Sequence, residues 1–240
     1  MPKHISRHCS GGRHRLSYLS KVLAIAYKDL LYEYRSRETV TTMLIFSFLV
    51  VVIFNFTFDP GSAYALEAAP GIIWVAFTFS GVLGLNRSFI YEVDKGCFHG
   101  LLLSPVDRGA IYLGKMIGNI IFMTIVEILT LPLFVILFNL NFTAILLQLL
   151  VVILLATLGF AAVGTLFSAI AVNTKAREIM LPILLFPVVV PVILSAVNAT
   201  SSILDGQGWD QIDAWLRILG AFDLMFIAIC YATFEYVVEE

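Results

Sequence analysis

The chain has 240 residues, of which 60% are hydrophobic and only 13% charged, with a formal net charge of −2. Its mean hydropathy is +0.93. Soluble domains carry about 25% charged residues, so the polar side chains here are too few to clothe a water-facing fold, and the length leaves no room for a separate soluble domain beside a membrane bundle. The net charge excludes little, because the distribution of charge carries more information than its sum.

In chain order, residues 1–15 read as a flexible basic leader holding His4, His8, His14 and Cys9. The pattern of a secretory signal is not met there, since no apolar core and small-residue cleavage site follow the basic residues. Cys9, Cys97 and Cys230 are odd in number and widely spaced. They form no disulfide framework and no CxxC pair, and read as free small residues. Next comes an amphipathic segment, in which Leu16, Leu19, Leu23, Ala26, Leu30 and Tyr34 recur at helical spacing among Lys21, Lys28, Asp29 and Glu33. Such a helix lies at the headgroups; the other reading is a helix packed on a partner protein.

Six apolar stretches then reach the roughly 20 residues needed to cross the hydrocarbon. They are Val40–Phe58, Ala68–Asn86, Met116–Phe138, Ala144–Val172, Ile179–Ala199 and Ile218–Phe234. Unbroken runs of this length are helices, because a lone strand would leave backbone groups unpaired in lipid. The fold class is therefore all-α, polytopic, with residues 16–240 as one six-helix transmembrane domain. Fourteen of the fifteen Lys and Arg residues fall on one side of such a chain; Arg217 is the exception. The positive-inside rule then places both termini in the cytoplasm of a bacterial-type inner membrane. Connections on the other face are expected over Asp59–Glu67, Asn139–Thr143 and Thr200–Arg217, the last with Trp209 and Trp215 at the interface.

Glu127 and Asp223 are the carboxylates placed deep in spans. A charge near the bilayer centre costs about 3 kcal/mol on insertion scales, so both are expected to face protein or water. Either they mark a substrate path or proton relay, or they make structural hydrogen bonds. No Lys, Arg or His lies in the same stretches to pair with them. Pro182, Pro187 and Pro191 all fall in the fifth stretch and are expected to be helix-breaking, either lining a moving path or setting a fixed kink. Gly114-x-x-x-Gly118 and Gly164-x-x-x-Ser168 are small-residue pairs suited to close helix packing, within the chain rather than between copies. The run Gly109–Met116 approximates a phosphate-binding loop but has Met116 in place of the Ser or Thr that holds Mg²⁺, and no βα unit surrounds it. ATP is therefore hydrolysed elsewhere. No catalytic constellation or metal spacing occurs, and nothing beyond the basic leader points to nucleic acid.

The largest connection on the basic side, Arg87–Lys115, mixes charges with an apolar patch. Glu92, Asp94, Gly96, Phe98, Leu101, Leu102 and Pro105 form a candidate partner surface, because an apolar patch with charged edges on a water-exposed loop is what a partner buries.

Three stretches carry a resemblance: APGIIWVA at Ala69–Ala76, RSFIYEVDKGCFHGLLLSPVDRGAIYLGK at Arg87–Lys115, and ILLFPVVVPVIL at Ile183–Leu194. Together they resemble the CcmB family, the permease-like subunit of cytochrome c maturation, over roughly residues 21–236. The middle stretch is also similar, more loosely, to ABC-2-type export permeases. It departs from the family at Cys97-Phe98-His99-Gly100. The resemblance implies a CcmA-like ATPase partner that binds the ATP, CcmC-like and CcmD-like membrane subunits, and a CcmE-like haem chaperone. It places a coupling helix in the Glu92–Pro105 segment. Haem is then the cargo of the complex rather than a cofactor of this chain, since no histidine lies in a span; Met43, Met123, Met180 and Met225 are weak candidate ligands there, better read as packing. Two other functions stay open: an ABC-2 export permease for a lipid, glycan or drug, and a membrane scaffold with no energy coupling.

Overall fold

The computed structural model describes residues 18–58, 62–94, 100, 106–138, 142–172, 174 and 176–239. The leader expected over residues 1–15 lies outside them. Seven long helices occur among the described residues: α1 Tyr18–Ser36, α2 Glu38–Thr57, α3 Ala63–Asp94, α4 Arg108–Leu137, α5 Phe142–Val172, α6 Arg177–Leu204 and α7 Trp209–Glu239. The last six are long and apolar enough to cross a membrane. The chain is a multi-pass membrane protein.

The six spans sort into two layers. In α3 and α5, 72% and 56% of the most apolar window is buried, against 22–33% in α2, α4, α6 and α7. The inner pair is where side chains must fit one another; the outer four leave most of their apolar windows unburied within the chain. Small residues set the spacing inside. A β-carbon on Gly84 of α3 would meet Met43 Sδ of α2 at 2.6 Å, and one on Gly164 of α5 would collide with Leu85 of α3. Ser168 Oγ, one turn beyond Gly164, donates to Leu85 O at 3.1 Å. Trp74 of α3 donates its indole N–H to Thr200 Oγ of α6 at 2.9 Å. Such a polar clamp costs little where lipid offers no competing water.

The helices run further than hydropathy predicts. α4 begins at Arg108 rather than Met116, and α3 continues through Asp94. The expected loop Thr200–Arg217 shrinks to Asp205–Gly208, because α6 runs to Leu204 and α7 starts at Trp209. Hydropathy registers only the part of a helix that lies in hydrocarbon, whereas backbone pairing continues into water. α6 ends in a Schellman arrangement: Gly206 N donates to Ile203 O and Gln207 N to Ser202 O, both at 3.0 Å, with Gly206 at φ 74°. A side chain at Gly206 would strain that left-handed turn.

α1 packs on α4 of its own chain. Ile25 lies against Gly114 and Asp29 against Gly118, so four residues along one helix match four along the other and the two run in the same direction. The Gly114-x-x-x-Gly118 pair thus serves packing within the chain. At its start, Tyr18 meets Tyr231 of α7, oxygen to oxygen at 3.1 Å. Burial first, and that hydrogen bond second, push the Tyr18 phenol up. α1 and α2 are separated by Arg37 alone, which adopts a left-handed conformation at φ 55°. Glu33 then caps the new helix: its Oε1 accepts from Val40 N at 2.8 Å, satisfying a donor that the first turn of α2 leaves free.

On Gly114 a methyl group would sit 2.7 Å from Ile25 Cβ and 3.0 Å from Val22 O. The second of these is backbone and has no rotamer to yield. Gly114→Ala is therefore expected to lift α1 off α4 and speed hydrogen exchange in α1, while Gly118→Ala, whose nearest neighbour would be at 3.7 Å, leaves exchange unchanged.

Candidate functional site

Inward-facing residues of α4 recur every fourth position: Lys115, Asn119, Met123 and Glu127, all buried. A helical repeat of 3.6 keeps such a series on one face. This face meets α5 in antiparallel register. Glu127 Oε1 accepts from Thr157 Oγ at 2.6 Å, and Asn119 Nδ2 donates to Thr165 Oγ at 2.9 Å. Eight residues back along α4 correspond to eight forward along α5. Thr165 Oγ in turn donates a hydrogen bond to Ala161 O at 2.7 Å. Each interhelical bond of this kind contributes about 0.6 kcal/mol in a membrane, and up to about 1.7.

At the top of the stripe is a charge that hydropathy assigned to a connection. Lys115 is 2% exposed. Its ammonium lies 3.0 Å from Asp29 Oδ2 on α1, donates to Ser88 O on α3 at 3.0 Å, and sits 5.1 Å from the Phe89 ring centroid. One side chain therefore ties α1, α3 and α4 together. Beside it lies a cavity of about 540 Å³, lined by Lys28, Asp29, Glu38, Arg87, Lys115 and Glu178 among others. Asp29 also reaches Lys28 at 3.3 Å, and Glu38 reaches Arg87 at 3.4 Å. With Glu33, the cavity wall carries four acidic and three basic side chains.

The intramembrane carboxylates Glu127 and Asp223 are both buried, and they are not brought together. Glu127 meets Thr157, whereas Asp223 of α7 lies in the space that a β-carbon on Gly159 would take. Thr157 and Gly159 are two residues apart on α5, and so point about 200° apart. The two acids approach opposite flanks of α5, which disfavours a single relay through both. Glu127 Oε2 and both Asp223 oxygens have no hydrogen-bond partner among the described residues. A cavity of about 20 Å³ adjoins Glu127, lined by Trp74, Thr78, Met123, Thr157 and Phe160 among others. That is room for one water.

The proline expectation is corrected by the geometry. Pro182, Pro187 and Pro191 lie within the single helix α6, which is not broken. Its inward stripe is Leu181, Leu185, Val189, Val192 and Ala196, while Pro187 and Pro191 face outward and Pro182 is half-buried. They do not line an internal path. Each proline forfeits one backbone bond, a loss that neighbouring groups in a membrane bundle can absorb. Of the expected coupling residues, Glu92 and Asp94 stand in the last turn of α3, but their side chains are not described. Gly96, Phe98, Leu101, Leu102 and Pro105 lie outside the described residues. Among the described residues, no three His, Cys, Asp or Glu side chains come together as a metal site.

Sequence reasoning passed over Lys115, Asn119, Asp29 and Glu33. The fourfold spacing from Lys115 to Glu127 was present in the chain, but a span started at Met116 cuts it in two. Asp29 carries no local signal for Lys115, which is remote in sequence, and Glu33 reaches Val40 only because the chain bends at Arg37 between them.

Two expectations follow. Lys115→Met leaves Asp29 without its buried partner and is expected to cost about 3 kcal/mol, with much of the loss recovered in Lys115→Met/Asp29→Leu. A double-mutant cycle on Thr157→Val and Glu127→Leu is expected to show a coupling of about 0.6–1.7 kcal/mol in denaturation from mixed micelles. Strict additivity would mean that the 2.6 Å contact contributes nothing.

The CcmB protein family model matches residues 20–238. Among similar proteins is heme exporter protein B of Pseudomonas aeruginosa, 26% identical over 191 residues, covering 80% of this chain and 85% of that one. Heme exporter protein B of Haemophilus influenzae is 27% identical over 200 residues, covering 83% and 88%. That of Paracoccus denitrificans is 26% identical over 207 residues, covering 86% and 93%. With six spans in one bundle and a family match running from α1 to the end of α7, the chain belongs to the CcmB family.

Proposed function

We propose that this chain is the membrane subunit of an ABC-type complex in cytochrome c biogenesis, and that it couples ATP hydrolysis on a CcmA-like partner to haem export or to release of a haem-loaded chaperone. The observation that carries the reading is the family match over residues 20–238, whose relatives bear the name heme exporter protein B. The geometry supplies a route for the coupling. A load applied to residues 95–105 enters the bundle through the ends of α3 and α4, which flank that segment. Lys115 joins those two helices and adds α1. The Asn119–Thr165 and Glu127–Thr157 bonds then pass a movement of α4 to α5, the helix that touches α3, α4, α6 and α7.

Release of a chaperone fits this chain better than a haem channel through it. All four histidines, His4, His8, His14 and His99, lie outside the spans, and Met43 and Met123 are used in packing against Gly84 and Gly81. In this reading both termini and the 95–105 segment are cytoplasmic, on the side where Lys and Arg concentrate. CcmC-like and CcmD-like subunits supply the remaining membrane surface.

Complementation of a strain lacking the gene tests the reading. Wild type is expected to restore holocytochrome c, and Leu101→Asp is expected to lose it at equal membrane abundance. Normal cytochrome in the null strain would reject the pathway. Full activity of Leu101→Asp would leave the pathway standing but remove the coupling surface.

A further inference from the structure

The elbow between α1 and α2 holds a second cavity of about 520 Å³, which adjoins the polar one beside Lys115 across Glu33 and Phe122. Its walls come from Tyr27, Leu31 and Tyr34 of α1, Val40 of α2, and Phe122 and Ile125 of α4. Thr41 and Arg37 complete the rim. The lining is mainly apolar, with phenol and hydroxyl groups at the edge. Glu33 also touches this space, but its Oε1 is occupied by the backbone of α2.

Two features specify what fills it. First, the floor runs on into the outer surface of the spans. Ile125 is followed on α4 by exposed Ile128 and Leu129, and Val40 leads on α2 to exposed Ile45 and Leu49. In a multi-pass protein that surface meets hydrocarbon. Second, the other end carries cationic charge. Arg37 is exposed, stacks over the Tyr34 ring at 6.0 Å, and forms no ion pair among the described residues. Its left-handed backbone at φ 55° holds it at the bend, where α1 gives way to the first turn of a span. Neighbouring Arg35 is exposed as well. A slot that is apolar at one end, cationic at the other and level with the start of a span matches one molecule of amphiphile.

We propose that the α1–α2 elbow binds one anionic glycerophospholipid, with its phosphate on Arg37 and an acyl chain across Val40, Phe122 and Ile125. The lipid fills the concave side of the bend and adds a wedge between α1 and the outer spans. α1 then has two supports: α4 through Ile25 and Asp29, and the membrane through this lipid. Leu19, Leu23, Tyr27, Leu31 and Tyr34 form an exposed apolar stripe on α1, and Tyr27, Leu31 and Tyr34 of it line the cavity.

Native mass spectrometry of the purified full chain tests this, with phosphatidylglycerol and phosphatidylcholine of identical acyl chains added in separate titrations. Wild type is expected to retain one phosphatidylglycerol in preference to phosphatidylcholine. Arg37→Asn keeps a residue that tolerates the left-handed backbone. It is expected to weaken phosphatidylglycerol about fivefold, the effect of one basic residue near an anionic surface, and to leave phosphatidylcholine unchanged. Thr41→Trp fills the cavity and is expected to weaken both lipids. Leu224→Trp, on an exposed position of α7, is the control and changes neither. Equal retention of the two lipids by wild type, or binding unaffected by Arg37→Asn and Thr41→Trp, would mean adventitious lipid only and overturn the proposal. Should Arg37→Asn fail to fold, Thr41→Trp decides alone. Cross-linking of Tyr27→Cys to another subunit in the assembled complex, with lipid lost on assembly, would overturn the proposal and make the elbow a protein interface.

Discussion

A lysine ammonium removed almost entirely from water needs its lost hydration replaced by groups held in place. Lys115 obtains a carboxylate from α1, a carbonyl from α3 and an aromatic face from the same helix. None of these is a near neighbour in sequence. The end of the bundle where α1, α3 and α4 meet is therefore organised around one charge. Separating α1 from α4 takes the carboxylate from the buried ammonium, and moving α3 away takes its carbonyl; stranding one member of a buried pair costs more than the intact pair contributes. The three helices are constrained to move together.

Below that charge the bonding changes character but keeps the same face of α4. Asn119 and Glu127 bond to Thr165 and Thr157, and Met123 fits between them against Gly81 and Phe160. Individually these bonds are weak. Their value lies in register, since side chains at fixed spacing on two antiparallel helices all fit in one alignment and all fail in the next. Lipid provides no hydrophobic drive for helix association, so close approach at glycines and a few directed hydrogen bonds must select the arrangement. The result is one selected register between α4 and α5, attached above to α1 and α3.

Around this pair the chain is less constrained. α7 and α2 are the helices with the least burial in their apolar windows, and α6 turns Pro187 and Pro191 outward. Surfaces of that kind suit lipid or other membrane subunits. The left-handed Arg37 joint lets α1 change direction without a loop, and Glu33 pays its capping cost locally.

Much of this protein was legible in the chain. Six spans, the all-α class and the amphipathic first helix follow from apolar length and helical period, because the bilayer imposes a thickness and forbids unpaired backbone. The glycine pairs were readable for the same reason: only small residues permit close helices. What the sequence did not display was partnership. That Lys115 is buried, that Asp29 answers it and that Glu127 and Asp223 lie on opposite flanks of α5 all depend on residues distant along the chain. Hydropathy averages a charge with its neighbours and therefore placed Lys115 in a loop. Only the packed bundle decides which polar groups meet, because burial and hydrogen bonding are properties of the space between helices.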